Sequence, residues 1–389
     1  MKKFWINTAF LGLTLLGSCN EDSLEGNDFE MEETADEDTY FLIADHQNNE
    51  AHLINYTGDE LFNWDFNSNL GNNINLLSDG SMLVCLKDNN ASITYGGYGG
   101  IFRKINADQS IEWEVSYSTS DYTAHRDVEY LSNGNIIFPA WGEISQTEAA
   151  EEGFGGSYNL NPESIIEMNP LTQEIVWEWH AMDYIIQDLD ETKANYGSIA
   201  ENPNKIDVNY NYQTRNNGGI MHINGLTLDE KNNLLYLTVN NYSEIWVLDH
   251  STSTAEASTN SGGNYGLGGD LVYRFGNPET YDNIGKSTLN NVHYPNLLKS
   301  GNMLAYANSV YGNQSEVVEY ELNPPYNMVA GQDNEPNVVW SFTDNDLYSS
   351  GLSSAVRMKN GNTLIAEGRD GTLWEVTDGG DTDWFYKTN

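Results

Sequence analysis

One two-part motif recurs along the chain, and it constrains the fold more than any other feature. An apolar strand, a tight turn on Gly or Asn and a second strand occur at Ile74–Val84, Val128–Phe138, Gly225–Leu237, Asn296–Tyr306 and Ala355–Ala366. Gly or Asn supplies the positive φ that such a turn needs. Each copy is followed by a strand that ends on a bulky aromatic: Trp113, Trp177 with Trp179, Phe275, Trp340 and Trp384. An earlier copy around Trp64 follows strands at Tyr40–Ala44 and Ala51–Tyr56 and lacks a clear first strand. Six such units of roughly 45 to 60 residues fit four-stranded blades in a ring, an all-β six-bladed β-propeller. A β-sandwich is the alternative, but it needs no six copies of one pattern. The abundance of Tyr, Trp and Gly favours strands and turns. Only Ala181–Ala200, in a long insertion between the third and fourth blades, has helical character.

The N-terminus reads as an export signal. Lys2 and Lys3 precede an apolar run from Phe4 to Leu16 that is too short to span a bilayer as a permanent helix. The run ends in Leu16-Gly17-Ser18-Cys19, which resembles the lipobox of bacterial lipoproteins, with Cys19 the lipidated residue. An ordinary secretory cleavage site is the competing reading. The expected layout is a lipoprotein signal peptide over 1–18, an acidic tether over 19–38 and the propeller over 39–389. Asn20 after the lipidated cysteine suits the outer membrane, and Glu21-Asp22 resembles a surface-display signal. With Cys19 acylated, Cys85 has no disulfide partner, so burial alone must hold the fold.

A formal charge of −41 excludes nucleic acid as a natural partner. Such acidity suits a solubility surface. Distant surface charges are screened beyond roughly 8 Å at physiological salt, so any anionic substrate must be held by a local cluster of donors.

Histidine is scarce, and three of the seven share one place in the repeat. His125, His222 and His293 each come just ahead of the first strand of their blade, the strand that lines a propeller's channel. The spacing predicts three imidazoles converging on one cavity from consecutive blades. Near an ordinary pKa of roughly 6.5, such a trio can divide the roles of nucleophile, base and oxyanion donor. His46, His52, His180 and His250 share no such register and read as structural. Three imidazoles with an open position also describe a catalytic zinc site, with Asp127 as a further ligand or orienting carboxylate.

At these residues the chain resembles the bacterial arylsulfotransferase family, which moves a sulfuryl group between phenols without a nucleotide donor. The resemblance runs through HRDVEYLSNGNI at His125, WEWHAMDYIIQDLDETKANYG at Trp177 and HINGL at His222. It continues in the segment from Glu244 to Pro278, at His293 and in EGRDGTLWEVTDGG from Glu367. It implies a six-bladed propeller and a ping-pong reaction, with neither cofactor nor metal. By position, His293 matches the nucleophile, and His125 and His222 match the histidines that hold sulfuryl oxygens or move protons. Asn224 matches a polar neighbour of that site. The implied partners are an aryl sulfate donor, a phenolic acceptor and, through the anchor, a membrane. One position departs from the family: Asn240 stands where an arginine clamps the sulfuryl group. A charge-assisted bond to an oxyanion is roughly twice as strong as a neutral one. Arg369, Arg126 or Arg215 could supply the cation from elsewhere, with Arg369 the first choice as a substrate-binding residue. Two other classes stay open: a non-catalytic ligand-binding propeller, and a metal-dependent hydrolase on the three histidines.

Overall fold

The computed structural model describes residues 39–309 and 312–388, and the backbone of residues 5–7. Cys19, the lipobox and the acidic tether lie outside the described residues. The chain forms a six-bladed β-propeller.

Blade 1 contains Thr39–Asp45, Glu50–Ile54 and Glu60–Asp65. Blade 2 runs from Leu70–Leu76 through Met82–Lys87 and Gly100–Ile105 to Ile111–Ser116. Blade 3 begins with a broken first strand, Tyr122–Ala124 and Glu129–Tyr130, and continues through Ile136–Gly142 and Glu163–Met168 to Ile175–His180. Blades 4, 5 and 6 start at Ile223–Asp229, His293–Leu297 and Ser354–Arg357 and end at Tyr273–Phe275, Asn337–Phe342 and Thr382–Lys387. Every aromatic that marked the repeat falls in an outermost strand. In blade 1 the innermost position, blank in the sequence pattern, is taken by the backbone of Trp5–Asn7, which runs parallel to Thr39–Phe41.

Helical character in the insertion after blade 3 is confined to the 3-10 turn Ala181–Tyr184. Beyond it the chain makes turns and a short parallel pair, Ile185–Ile186 with Ile206–Asp207. Contrary to expectation, the short α-helices lie elsewhere, at Gln146–Glu151 and Thr254–Ala257, each started by a serine capping box.

First strands leave one edge facing the channel, and unpaired backbone groups there need partners. Side chains from the neighbouring blade supply them. Asn75 Nδ2 donates to Val128 O (2.9 Å), Leu226 N donates to Asp127 Oδ2 (2.8 Å), and Asn224 Nδ2 donates to Val292 O (3.0 Å).

A second set of staples works through third-strand carboxylates. Glu167 accepts from Asn133 and Asn135 of its own hairpin turn and bonds His250 of blade 4 (2.8 Å). Glu319 accepts from Asn302 and pairs with Arg357 of blade 6 (2.7 Å). Glu375 accepts from Asn360, Asn362 and, across the ring seam, Tyr56 of blade 1 (2.8 Å). The same seam stacks Phe41 on Trp384 with ring centroids 4.8 Å apart. An aromatic pair of this kind adds about 0.5 to 1.5 kcal/mol beyond its buried area.

Candidate active site

The site lies where first strands begin and second strands end. At that end the backbone repeatedly leaves ordinary strand geometry. Arg126, His222 and Tyr294 have φ of 60°, 64° and 56°, in the left-handed region. The ladders slip between Ile223 and Gly225 and between His293 and Asn296. Such irregularities re-aim side chains beside functional sites.

In blade 3 they change which residue faces the lumen. His125 is 0% exposed, stacked flat on the Trp141 indole with centroids 3.7 Å apart. Its Nε2 meets Glu163 Oε2 at 2.8 Å. Burial pushes the Glu163 carboxyl up to about 8. Burial, then Arg126, holds the His125 imidazole well below the ordinary range. The pair is therefore neutral: Glu163 donates its proton to His125 Nε2, and its other oxygen accepts from Trp141 Nε1 (2.9 Å) and Ile223 N (2.8 Å). Glu163 thus ties His125 to the backbone beside His222.

Asp127 does not orient His125. The left-handed turn at Arg126 breaks the two-residue alternation that would have put both on one face, and Asp127 instead accepts from Val128 N and Leu226 N.

Arg126 takes the forward position. Its Nη2 lies 2.8 Å from His222 Nε2. Since guanidinium only donates, His222 is the neutral tautomer with its proton on Nδ1. Asn72 Oδ1 accepts from Arg126 Nη1 at 2.9 Å. Arg126 Nε is buried without a partner. A Cβ on Gly97 would stand 2.0 Å from that Nε, so only glycine lets the guanidinium lie there. Gly97 belongs to the loop of residues 95–99 in blade 2, whose Tyr95 packs edge-on against Trp141.

His293 presents a defined nitrogen. Its Nδ1 lies 3.0 Å from Asn291 O, so Nε2 is the ring nitrogen turned away from that loop. Asn308 Nδ2 contacts both the Asn291 carbonyl and Nδ1, and Ser353 Oγ donates to Asn308 Oδ1 at 2.5 Å. Nε2 faces Gly351 and Arg369: a Cβ on Gly351 would lie 3.9 Å from His293 Nε2 and 3.5 Å from Arg369 Nε. Burial first, then Arg126, holds His293 down at about 3. His222 is held well below the ordinary range by burial, Arg126 and the other two histidines. The trio therefore does not titrate near 6.5 as an exposed set would; desolvation disfavours every added charge beside a fixed guanidinium.

The two asparagines are structural here. Asn224 Nδ2 donates to Val292 O and its Oδ1 accepts from Thr238 Oγ1, so both ends are engaged within blade 4 and across to blade 5. Asn240 also donates to Val292 O, at 3.3 Å, and its N–H donates to His222 O. Among the described residues, Arg103, Arg274 and Arg357 each pair with a carboxylate, whereas Arg126, Arg215 and Arg369 do not. The fields of those three meet on the site: Arg126 and Arg215 act on His222, Arg126 and Arg369 on His293. The other histidines are partnered away from this network, His52 by Glu60, His180 by Ser164 and His250 by Glu167. His46 is the exception, since it feels Lys87 and Arg126 and has a buried, unpartnered Nε2. Among the described residues no three His, Cys, Asp or Glu side chains come together as a metal-holding group. Here His222 Nε2 already bonds a cation, and His125 is closed off behind Trp141.

Glu163, Trp141, Gly97 and Asn308 went unread in the sequence. The glycine density of Tyr95–Gly100 was the one available signal.

No protein-family model matches the chain, and no curated protein matches it. Among solved structures it is similar to a protein of unknown function from Bacteroides caccae, with TM-score 0.49 and 12% identity over 89% of this chain and 93% of that one. It is also similar to a functionally unknown protein from Desulfotomaculum acetoxidans, with TM-score 0.46 and 10% identity over 88% and 94%. A streptogramin B lyase follows, with TM-score 0.42 and 11% identity over 88% and 78%.

Proposed function

We propose that this propeller is an arylsulfotransferase-like enzyme that moves a sulfuryl group from an aryl sulfate to a phenol through a sulfo-histidine at His293. The observation that carries the reading is the setting of His293. Its Nδ1 is turned onto Asn291 O, so Nε2 stands beside Arg369 and within the field of Arg126, and with the proton on Nδ1 it carries the lone pair that attacks.

In the first half-reaction Nε2 attacks sulfur, the bond from sulfur to the aryl oxygen breaks, and the phenolate leaves. In the second, the acceptor oxygen attacks sulfur, the bond from sulfur to Nε2 breaks, and the acceptor's proton is released to solvent. The sulfuryl oxygens carry charge throughout, and fixed donors around them lower the barrier without reorganising. His222 acts as a neutral donor, because its Nε2 is held by Arg126. His125 and Glu163 act as positioning residues behind Trp141.

The test is release of p-nitrophenol from p-nitrophenyl sulfate, with and without an added phenol. Stimulation by the phenol and its loss in His293→Ala support the reading. Release that ignores the acceptor, or tight binding with no product, contradicts it. Export and lipid anchoring at Cys19 belong to the same proposal; the cleavage they require removes Trp5–Asn7 and leaves the mature blade 1 with three strands, and membrane partitioning of wild type against Cys19→Ser tests them.

A further inference from the structure

We propose that Arg126, together with Arg369, forms the binding site for a tetrahedral oxyanion and replaces the charge that Asn240 lacks. The inference rests on the reading above only for the identity of the anion, a sulfuryl group; the anion site itself stands on geometry.

Burying a cation without a carboxylate is costly. Arg126 is only 8% exposed and has no carboxylate at ion-pair distance among the described residues, in a chain with 58 acidic residues. The fold nevertheless goes to some length to keep it there. A left-handed residue turns its side chain inward, Gly97 makes room for it, and Asn72 and His222 hold one N–H each. Guanidinium has five N–H groups. Two are engaged, Nε is buried without a partner, and one N–H remains on each terminal nitrogen. An unfilled fork of this kind matches two oxygens of one tetrahedral anion. Arg369, whose charge reaches Arg126, has no carboxylate partner either among the described residues, and it stands with His293 Nε2 against Gly351, where a Cβ would be 3.5 Å from one and 3.9 Å from the other. An anion between the two guanidinium groups lies in front of the nucleophile. Asn240, already donating to Val292 O, has no part in it.

The probe is p-toluenesulfonate, an aryl sulfonate whose carbon–sulfur bond cannot transfer, titrated into the full chain by calorimetry. Arg126→Met is expected to weaken binding by about ten- to a hundredfold, the range for a lost charge-assisted bond. Its melting temperature without ligand should change little, because the relieved desolvation of the buried charge offsets the two bonds lost at Asn72 and His222. A merely structural arginine would instead leave the variant less stable. Adding Asn240→Arg in the Arg126→Met background should restore part of the affinity. Unaltered sulfonate binding in Arg126→Met, or a large loss of its stability with binding retained, overturns the inference. The two proposals fail separately. Arg126-dependent sulfonate binding with no sulfuryl transfer leaves this site standing and removes the enzyme reading. Transfer through His293 that is indifferent to Arg126→Met does the reverse.

Discussion

Glu163 is the hub on which the blade 3 side of the site depends, and two substitutions separate its roles. Glu163→Ala leaves three buried polar groups without a partner: Trp141 Nε1–H, Ile223 N–H and His125 Nε2. At about 1 to 2 kcal/mol each, the loss comes to about 3 to 6 kcal/mol. Glu163→Gln keeps all three bonds, with its amide donating to His125 in place of the acid proton, so it removes only the titration. The ordinary carboxyl value is 4.5, and the folded protein raises Glu163 to about 8. A raised carboxyl contributes stability that is fully present below the unfolded value and is lost as pH rises through the folded one. Wild type therefore loses up to about 1.4 kcal/mol per pH unit across that window, which glutamine does not. Measured by urea denaturation with unchanged m-value, the stability difference of Glu163→Gln over wild type should grow by up to about 4 kcal/mol between roughly pH 5 and pH 8. A Glu163→Ala variant within about 1 kcal/mol of wild type would refute the hub. A Glu163→Gln difference that does not change with pH would refute the neutral pair.

Other expectations follow from the same geometry. Gly97→Ala puts a methyl 2.0 Å from Arg126 Nε, so the guanidinium must move, and donor kcat/KM should fall about tenfold or more in steady-state assays. Gly351→Ala fits at ordinary contact distance, so its melting curve should match wild type while the methyl narrows the space before His293 Nε2 and raises KM for bulky aryl sulfates. Because His293 is held down at about 3, it stays unprotonated in mild acid, and donor kcat/KM should be flat from about pH 7 to pH 5. A fall with a midpoint near the ordinary histidine value of roughly 6.5 would contradict that assignment.

The ring was legible because each blade repeats one local instruction: a turn residue that needs positive φ, an apolar hairpin and an outer aromatic strand. The register of His125, His222 and His293 was legible for the same reason. What side chains do at the channel end was not. Alternation along an extended strand predicts that His125 faces the lumen with Asp127 beside it, but one left-handed residue, Arg126, changes the parity. His125 then falls behind Trp141, and Arg126 comes forward. Asn224, expected at the substrate, is drawn into an inter-blade staple, because a first-strand edge must satisfy its carbonyls. Glu163 carries no sequence signal: it is the first residue of an ordinary third strand, and its importance arises only when blade 4 is packed against blade 3. Glu319 and Glu375 are likewise plain third-strand acids until the next blade arrives.

Most direct for the central claim is the mass of the peptide that carries His293 after the protein is incubated with an aryl sulfate, without acceptor, and quenched in alkali. Transfer through His293 Nε2 predicts a gain of one sulfuryl group on His293, discharged when a phenol is added and absent from His293→Ala. Phenol release with no modified histidine, or a sulfuryl group carried by another residue, would contradict it.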